Sequence, residues 1–459
     1  MPVLPNSKVR RFALLAAALT VIYNSNQRPN PSGDTLPAAL LPFSVLLDHQ
    51  VTFDRFAPWI EQHHEVQYAF TRHAGRWYSR YPIGGALLVS PLYAPAIFIH
   101  RLRSISPGNL VLFARMTEKF TATFLTVAAI LMLLLLLERI LEGPTAFWLA
   151  VAIALGTELW STPSQALWQH SFGVVAIVAW MYAIDRCSEA DSGARWQWIA
   201  GAAAGIALAI RPLNAILLVA TAAALLAARA KAGAWIRALL PPVLAGGVVA
   251  AYNWEIFGRL AGGYYSSFTG NLWSGMAGAF ASPGRGLLIY TPMAAFAVFA
   301  FLPAARKARA AHKPLLAASC TMAILLIATV SAWSMWWGGH CFGPRLLTEL
   351  IPALAVLLAL GWQSMRGLGR RAFIAAVAVS ILIQAAGVYS YPQGNWDVTP
   401  VDVDAAPARL WDFRDNPLTR AAGAGLSTRP YAALKVVLEH GPATAVRQIG
   451  AWQASSPTH

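Results

Sequence analysis

FTATFLTVAAILMLLLLL, residues 120–137, runs for eighteen residues without a charge. At ~1.5 Å of rise per residue such a helix reaches about 27 Å, close to the hydrocarbon thickness of a bilayer. It has no polar face, so it cannot be the surface helix of a soluble domain. Outward from it, stretches with too few charges to be loops recur near 11–25, 83–100, 145–160, 170–185, 197–210, 212–228, 238–252, 286–304, 314–332, 347–362 and 372–390. Together they predict an all-α polytopic membrane protein with about 12 transmembrane helices (11–13 when short segments fuse or break). The 459-residue composition agrees: 57% of residues are hydrophobic and 12% charged, against roughly 45–50% and about 25% in soluble domains. That excludes a nucleic-acid-binding protein and an ordinary cytosolic enzyme, and the net charge of +15 reads as loop anchoring. Cys187, Cys320 and Cys341 have no CxxC spacing, so no disulfide framework is expected.

Lys8, Arg10 and Arg11 precede the first span, whereas residues 26–82 balance five Arg with five acidic residues. The asymmetry places the N-terminus in the cytoplasm and the first loop outside. VIYNSNQRPN is a poor cleavage site, so the first span is expected to stay in place. Residues 1–390 then form the membrane domain including loop 26–82, and 391–459 a small C-terminal segment packed on it. The first loop is rich in aromatic and charged residues, which predicts short helices lying at the interface.

Three places concentrate polar chemistry. Asp34, in NPSGDTLPAALLPF, sits just after the first span. Two readings stand for it: a partly desolvated general base, or an N-terminal cap for the helix that Pro37 begins. In GRWYSRYPIGG, Arg76, Arg80 and Tyr81 lie where the loop returns to the membrane; guanidinium groups there suit a lipid-linked phosphate or simple interfacial anchoring. In SAWSMWWGGHCFGPRLLTEL, Trp336 and Trp337 offer rings to a sugar, and His340 and Arg345 offer donors to a phosphate. Arg345 and Glu349 would equally make a helix pair. His340 beside Cys341 shows no third ligand, and no metal or cofactor is expected. Gln169, His170, Asn253, Tyr264, Tyr265 and Arg285 are further substrate-contact candidates at span ends. No Walker loop, GxSxG or HExxH is present.

In this order, SGDTLPAALLPFSVL (32–46), YSRYPIGGALLVSPLY (78–93), GTELWSTPSQALWQHSFG (156–173), SPGRGLLIYTP (282–292), WWGGHCFGPRLL (336–347) and LWDFRDNP (410–417) resemble the GT-C superfamily of integral-membrane glycosyltransferases. The similarity is to the bacterial branch related to protein O-mannosyltransferases and the lipid A aminoarabinose transferase. It implies a GT-C-like fold in the bacterial inner membrane. It also implies inverting transfer of a sugar from a polyprenyl-phosphate donor to a hydroxyl acceptor on protein, lipid or envelope glycan, on the extracytoplasmic face. By the same resemblance Asp34 is the catalytic carboxylate, Arg80 contacts the donor phosphate, and His340 and Arg345 line the phosphate site. Ser32-Gly33-Asp34 has only the last acid of the two-acid ExD pattern found in metal-dependent oligosaccharyltransferases, which favours metal-independent chemistry. The competing expectation is a transporter or flippase for a lipid-linked or anionic substrate, against which the asymmetric loop 26–82 and the absence of an inverted repeat weigh.

Overall fold

A computed structural model describes residues 6–99, 107–187, 193–263 and 268–426, together with 435, 438 and 439. Among the described residues, each of the twelve apolar stretches is mostly helical. Among the described residues, five helices are long and apolar enough to cross a membrane: Leu110–Leu137, Ala232–Phe257, Lys313–Ala332, Arg345–Ser364 and Leu368–Tyr389. Gly143–Gly156, Pro212–Ala227 and Pro292–Phe301 are shorter apolar helices. The charge-free stretch 120–137 lies in the helix Pro107–Leu137, where Ile130, Leu133, Leu136 and Leu137 are buried while Phe120 and Phe124 project outward. Ala232–Phe257 shows the opposite: Val243, Val248 and Trp254 project outward at 58–72% exposure, which a helix tolerates when lipid is its solvent.

The stretch 286–304 is the main departure from a simple span. It divides into Leu287–Tyr290 and a 3-10 segment, Pro292–Phe301. Pro292 disfavours α geometry at Thr291, which takes φ −137° and ψ 68°. The first loop contains the expected short helices, including Gly33–Thr35, Leu36–Phe43 and Ala57–Gln62. It also contains a β-hairpin that helical reading of the loop misses. Strand β1 (Phe70–His73) pairs antiparallel with β2 (Arg76–Ser79), in the register Phe70 to Ser79 and His73 to Arg76. Ala74 and Gly75, both at positive φ, make the tight turn whose twist suits a two-residue hairpin.

Within the C-terminal segment the described residues pack onto the 282–290 turn. Ser282 Oγ donates to the Leu410 carbonyl at 2.6 Å, and the Gly284 amide donates to the same oxygen at 3.2 Å. Buried Arg285 pairs with Asp397 at 2.7 Å and lies 5.3 Å over the Trp396 ring. Trp337, Trp396, Val403 and Leu410 form a small apolar core of their own beneath this cover.

Candidate active site

The site grows from the turn after the first helix. Ser32 caps Gly33–Thr35 by accepting the Asp34 N–H on its Oγ at 3.3 Å. The cap is therefore the serine, and the aspartate expected as cap or base keeps its carboxylate for other partners. Asp34 Oδ1 accepts from the hydroxyls of Tyr81 at 2.6 Å and Tyr68 at 3.2 Å, and Oδ2 accepts from Arg345 Nη1 at 3.1 Å. A carboxylate offers about four acceptor directions; one on Oδ2 remains for a substrate. The side chain is 25% exposed, so that direction is reachable.

Gly33 makes the Tyr68 contact possible, since a Cβ at this position would stand 2.2 Å from the Tyr68 hydroxyl. Tyr68 is half-buried, with its hydroxyl against Gly33. That burial, followed by the charge of Asp34, pushes the hydroxyl above its ordinary pKa and keeps it a donor. Gly33→Ala is accordingly expected to displace Tyr68 and lower turnover about 3–10-fold, the loss of roughly one hydrogen bond, with expression and thermal unfolding near wild type; steady-state kinetics checks this.

Arg345 is the second anchor. It sits at the start of the 3-10 turn Arg345–Leu350, which leads into the helix Ile351–Gly361. Its Nη1 holds Asp34, its Nη2 donates to the Gly338 carbonyl at 2.6 Å, and its guanidinium lies 4.3 Å over the Trp168 ring. Gly338 and Gly339, at φ 77° and 68°, supply the left-handed turns that bring the carbonyl round. The Arg345–Glu349 helix pair does not form. Glu349 instead accepts from Arg211 Nη1 at 2.8 Å and faces His170 Nδ1 at 2.7 Å, all three buried. Arg211 is the residue that sequence reading passed over. Its signal was a lone arginine between two apolar runs, immediately before Pro212, a position too costly for an unpaired charge. Glu349→Ala strands the buried Arg211 guanidinium and takes the partner from His170 Nδ1, and is expected to destabilise the fold by about 3–5 kcal/mol; detergent-solubilised thermal unfolding checks it.

The turn that carries Asp34 rests on the helix Pro107–Leu137. Arg115 donates to Thr35 Oγ1 and to Glu118 Oε2, both at 3.0 Å, and to the Ser32 carbonyl at 3.4 Å. Glu118 Oε1 accepts the Leu167 N–H at 3.0 Å, which ties the Asp34 turn to the 156–173 stretch. Lys119 donates to the Tyr23 carbonyl and to Gln165 Oε1, each at 2.6 Å. These buried charges are hydrogen-bonded throughout, as their cost demands.

Beside Asp34 lies a narrow cleft with a cavity volume of about 10 Å³, room for about one water molecule. Its polar lining includes Asp34, Tyr81, Ser79 and Gln169, and its apolar wall Leu41, Ile83, Phe172 and Ile210. Of the residues expected at the site, Asp34, Tyr81 and Gln169 line the cleft, Arg345 reaches it only through Asp34, and His170 is packed on Glu349. Arg80 directly precedes Tyr81, half-buried, and its N–H donates to the Ala69 carbonyl at 2.9 Å. Arg76 is committed within the loop, to Asp54 at 2.6 Å and Thr52 at 3.0 Å. Asn253 donates to the Leu260 carbonyl at 2.9 Å and so closes its own turn. Arg285, Trp336 and Trp337 do not line the cleft: Arg285 holds Asp397, and the two tryptophans pack edge-on, with Trp336 also against Trp411. His340 faces Asp402 at 3.1 Å and Asp404 at 3.9 Å, an acidic setting that repels the phosphate expected there. Tyr264 and Tyr265 lie outside the described residues.

By sequence, no protein-family model and no curated protein matches the chain. By structure, it is similar to the crystal structure of ArnT from Cupriavidus metallidurans bound to undecaprenyl phosphate, with a TM-score of 0.50 at 13% identity over 98% of this chain and 75% of that one. The fold is thus the GT-C type that the motif order implies.

Proposed function

We propose that this chain is an inverting glycosyltransferase that moves a sugar from a polyprenyl-phosphate donor to a hydroxyl acceptor. The observation that carries the reading is the Asp34–Arg345 pair, whose carboxylate lines a narrow cleft of mixed polar and apolar residues. A donor whose phosphate is carried on an apolar chain suits a guanidinium and a carboxylate paired among apolar residues. The undecaprenyl phosphate bound by ArnT, a protein of the same fold, supports this donor class.

In the reaction, the acceptor oxygen forms a bond to the anomeric carbon as the bond from that carbon to the phosphate oxygen breaks. Asp34 takes the acceptor proton on its remaining Oδ2 direction. Tyr68 and Tyr81 fix the carboxylate from the Oδ1 side. Arg345 orients Asp34 and supplies positive charge to the departing phosphate, joined by Arg80 on the adjoining rim. Loop 26–82 and the active site face the extracytoplasmic side of a bacterial inner membrane, the orientation that the basic residues before the first span favour.

The test is to supply the purified protein in detergent with radiolabelled polyprenyl-phosphate sugars and crude envelope acceptors. Acceptor labelling matched by lipid phosphate release is the expected result. Binding of donor without its cleavage by any acceptor fraction would remove the enzyme reading.

A further inference from the structure

Outside the Asp34 cleft, His340, Asp402 and Asp404 bring three ligand atoms within 4.8 Å of one another. We infer that they form a divalent transition-metal site, which clamps the C-terminal segment onto the loop that controls Arg345. This inference is independent of the reaction proposed above.

The geometry suits a metal ion. His340 Nε2 stands 3.1 Å from Asp402 and 3.9 Å from Asp404 Oδ2. Ligands about 2.1 Å from a tetrahedral ion sit about 3.4 Å from each other, a value those two separations bracket. The ligands are also held in place. Trp337 Nε1 donates to Asp404 Oδ1 at 2.7 Å, which leaves Oδ2 turned to His340, and the Asp404 N–H donates to Asp402 Oδ1 at 2.8 Å. Such outer hydrogen bonds orient metal ligands. One imidazole with two carboxylates selects zinc- or manganese-type ions, and three protein ligands leave a position for water. Cys341 is not a ligand: its buried Sγ is turned to the carbonyls of Trp337, Gly339 and Gly343.

The consequence follows from the chain path. His340 is two residues beyond Gly338, whose carbonyl receives Arg345 Nη2. Asp402 and Asp404 come from a segment more than sixty residues later. An ion bridging them cross-links two distant stretches and fixes the Gly338 turn, and through it the guanidinium that holds Asp34.

The experiment strips the full-length protein in detergent with a chelator, then titrates Zn²⁺ by calorimetry and follows thermal unfolding. Wild type is expected to take up one equivalent and unfold at a higher temperature with zinc. His340→Ala and the isosteric pair D402N/D404N are expected to bind roughly 10-fold or more weakly and to lose the zinc-dependent shift, while Cys341→Ala behaves as wild type. Absence of a stoichiometric equivalent in wild type overturns the site without reference to any variant. Retention of wild-type affinity in both His340→Ala and D402N/D404N overturns it as well.

Discussion

Asp34→Asn is expected to lower turnover by about 10²–10⁴-fold, the range a positioned general base supplies, while the protein still inserts and purifies. The substitution is nearly isosteric. Oδ1 survives as the amide oxygen and keeps the Tyr68 and Tyr81 donors. The former Oδ2 becomes an NH₂ that cannot accept a proton and that faces the Arg345 donor. The proton acceptor and one ion pair are therefore lost together, and the fold is held meanwhile by Arg115, Glu118 and Lys119 beneath. Single-turnover rates with saturating donor check the chemistry, and thermal unfolding checks the fold. A folded Asp34→Asn protein with wild-type rates would remove Asp34 from the mechanism.

Arg345→Ala is expected to cost about 10²–10³-fold in kcat, as loss of one charge-stabilising donor does, and to raise the donor KM. Three contacts vanish at once: the pair with Asp34, the bond to the Gly338 carbonyl and the stacking on Trp168. Arg345→Lys separates the contributions. A lysine keeps the charge but lacks the planar fork that reaches Asp34 and Gly338 together, so it is expected to restore donor affinity more than kcat. Wild-type donor saturation and maximal rate in Arg345→Ala would show that the residue serves neither Asp34 nor the phosphate.

The membrane architecture was legible because hydrophobic runs carry their own length scale. FTATFLTVAAILMLLLLL needs no partner to declare a span, and the segment boundaries follow from where charges resume. Local breaks were less visible. The Thr291-Pro292 junction divides a stretch whose hydropathy alone is continuous, and the hairpin at 70–79 depends on two turn residues within an aromatic loop. At the site, Asp34 and Arg345 stood out as charged residues at span ends, but their mutual contact crosses 311 positions and no local spacing encodes it. The same holds for Glu349: helical spacing offered Arg345, four residues back, whereas the fold offers Arg211 from the break before Pro212 and His170 from the helix Gln169–Arg186. His340 likewise meets its carboxylates only because the chain around Asp402, more than sixty residues later, packs beside it.

The central claim is that donor is cleaved at Asp34 rather than merely carried. The most direct measurement preloads the purified protein with a polyprenyl-phosphate sugar labelled in both lipid and sugar, then adds acceptor and follows both labels through one turnover. The account predicts free polyprenyl phosphate and labelled acceptor appearing together at equal amounts in wild type, and intact donor in Asp34→Asn. Donor that leaves the protein intact in both, or that crosses the bilayer uncleaved when the protein is placed in liposomes, would contradict it and make the chain a carrier of lipid-linked sugar.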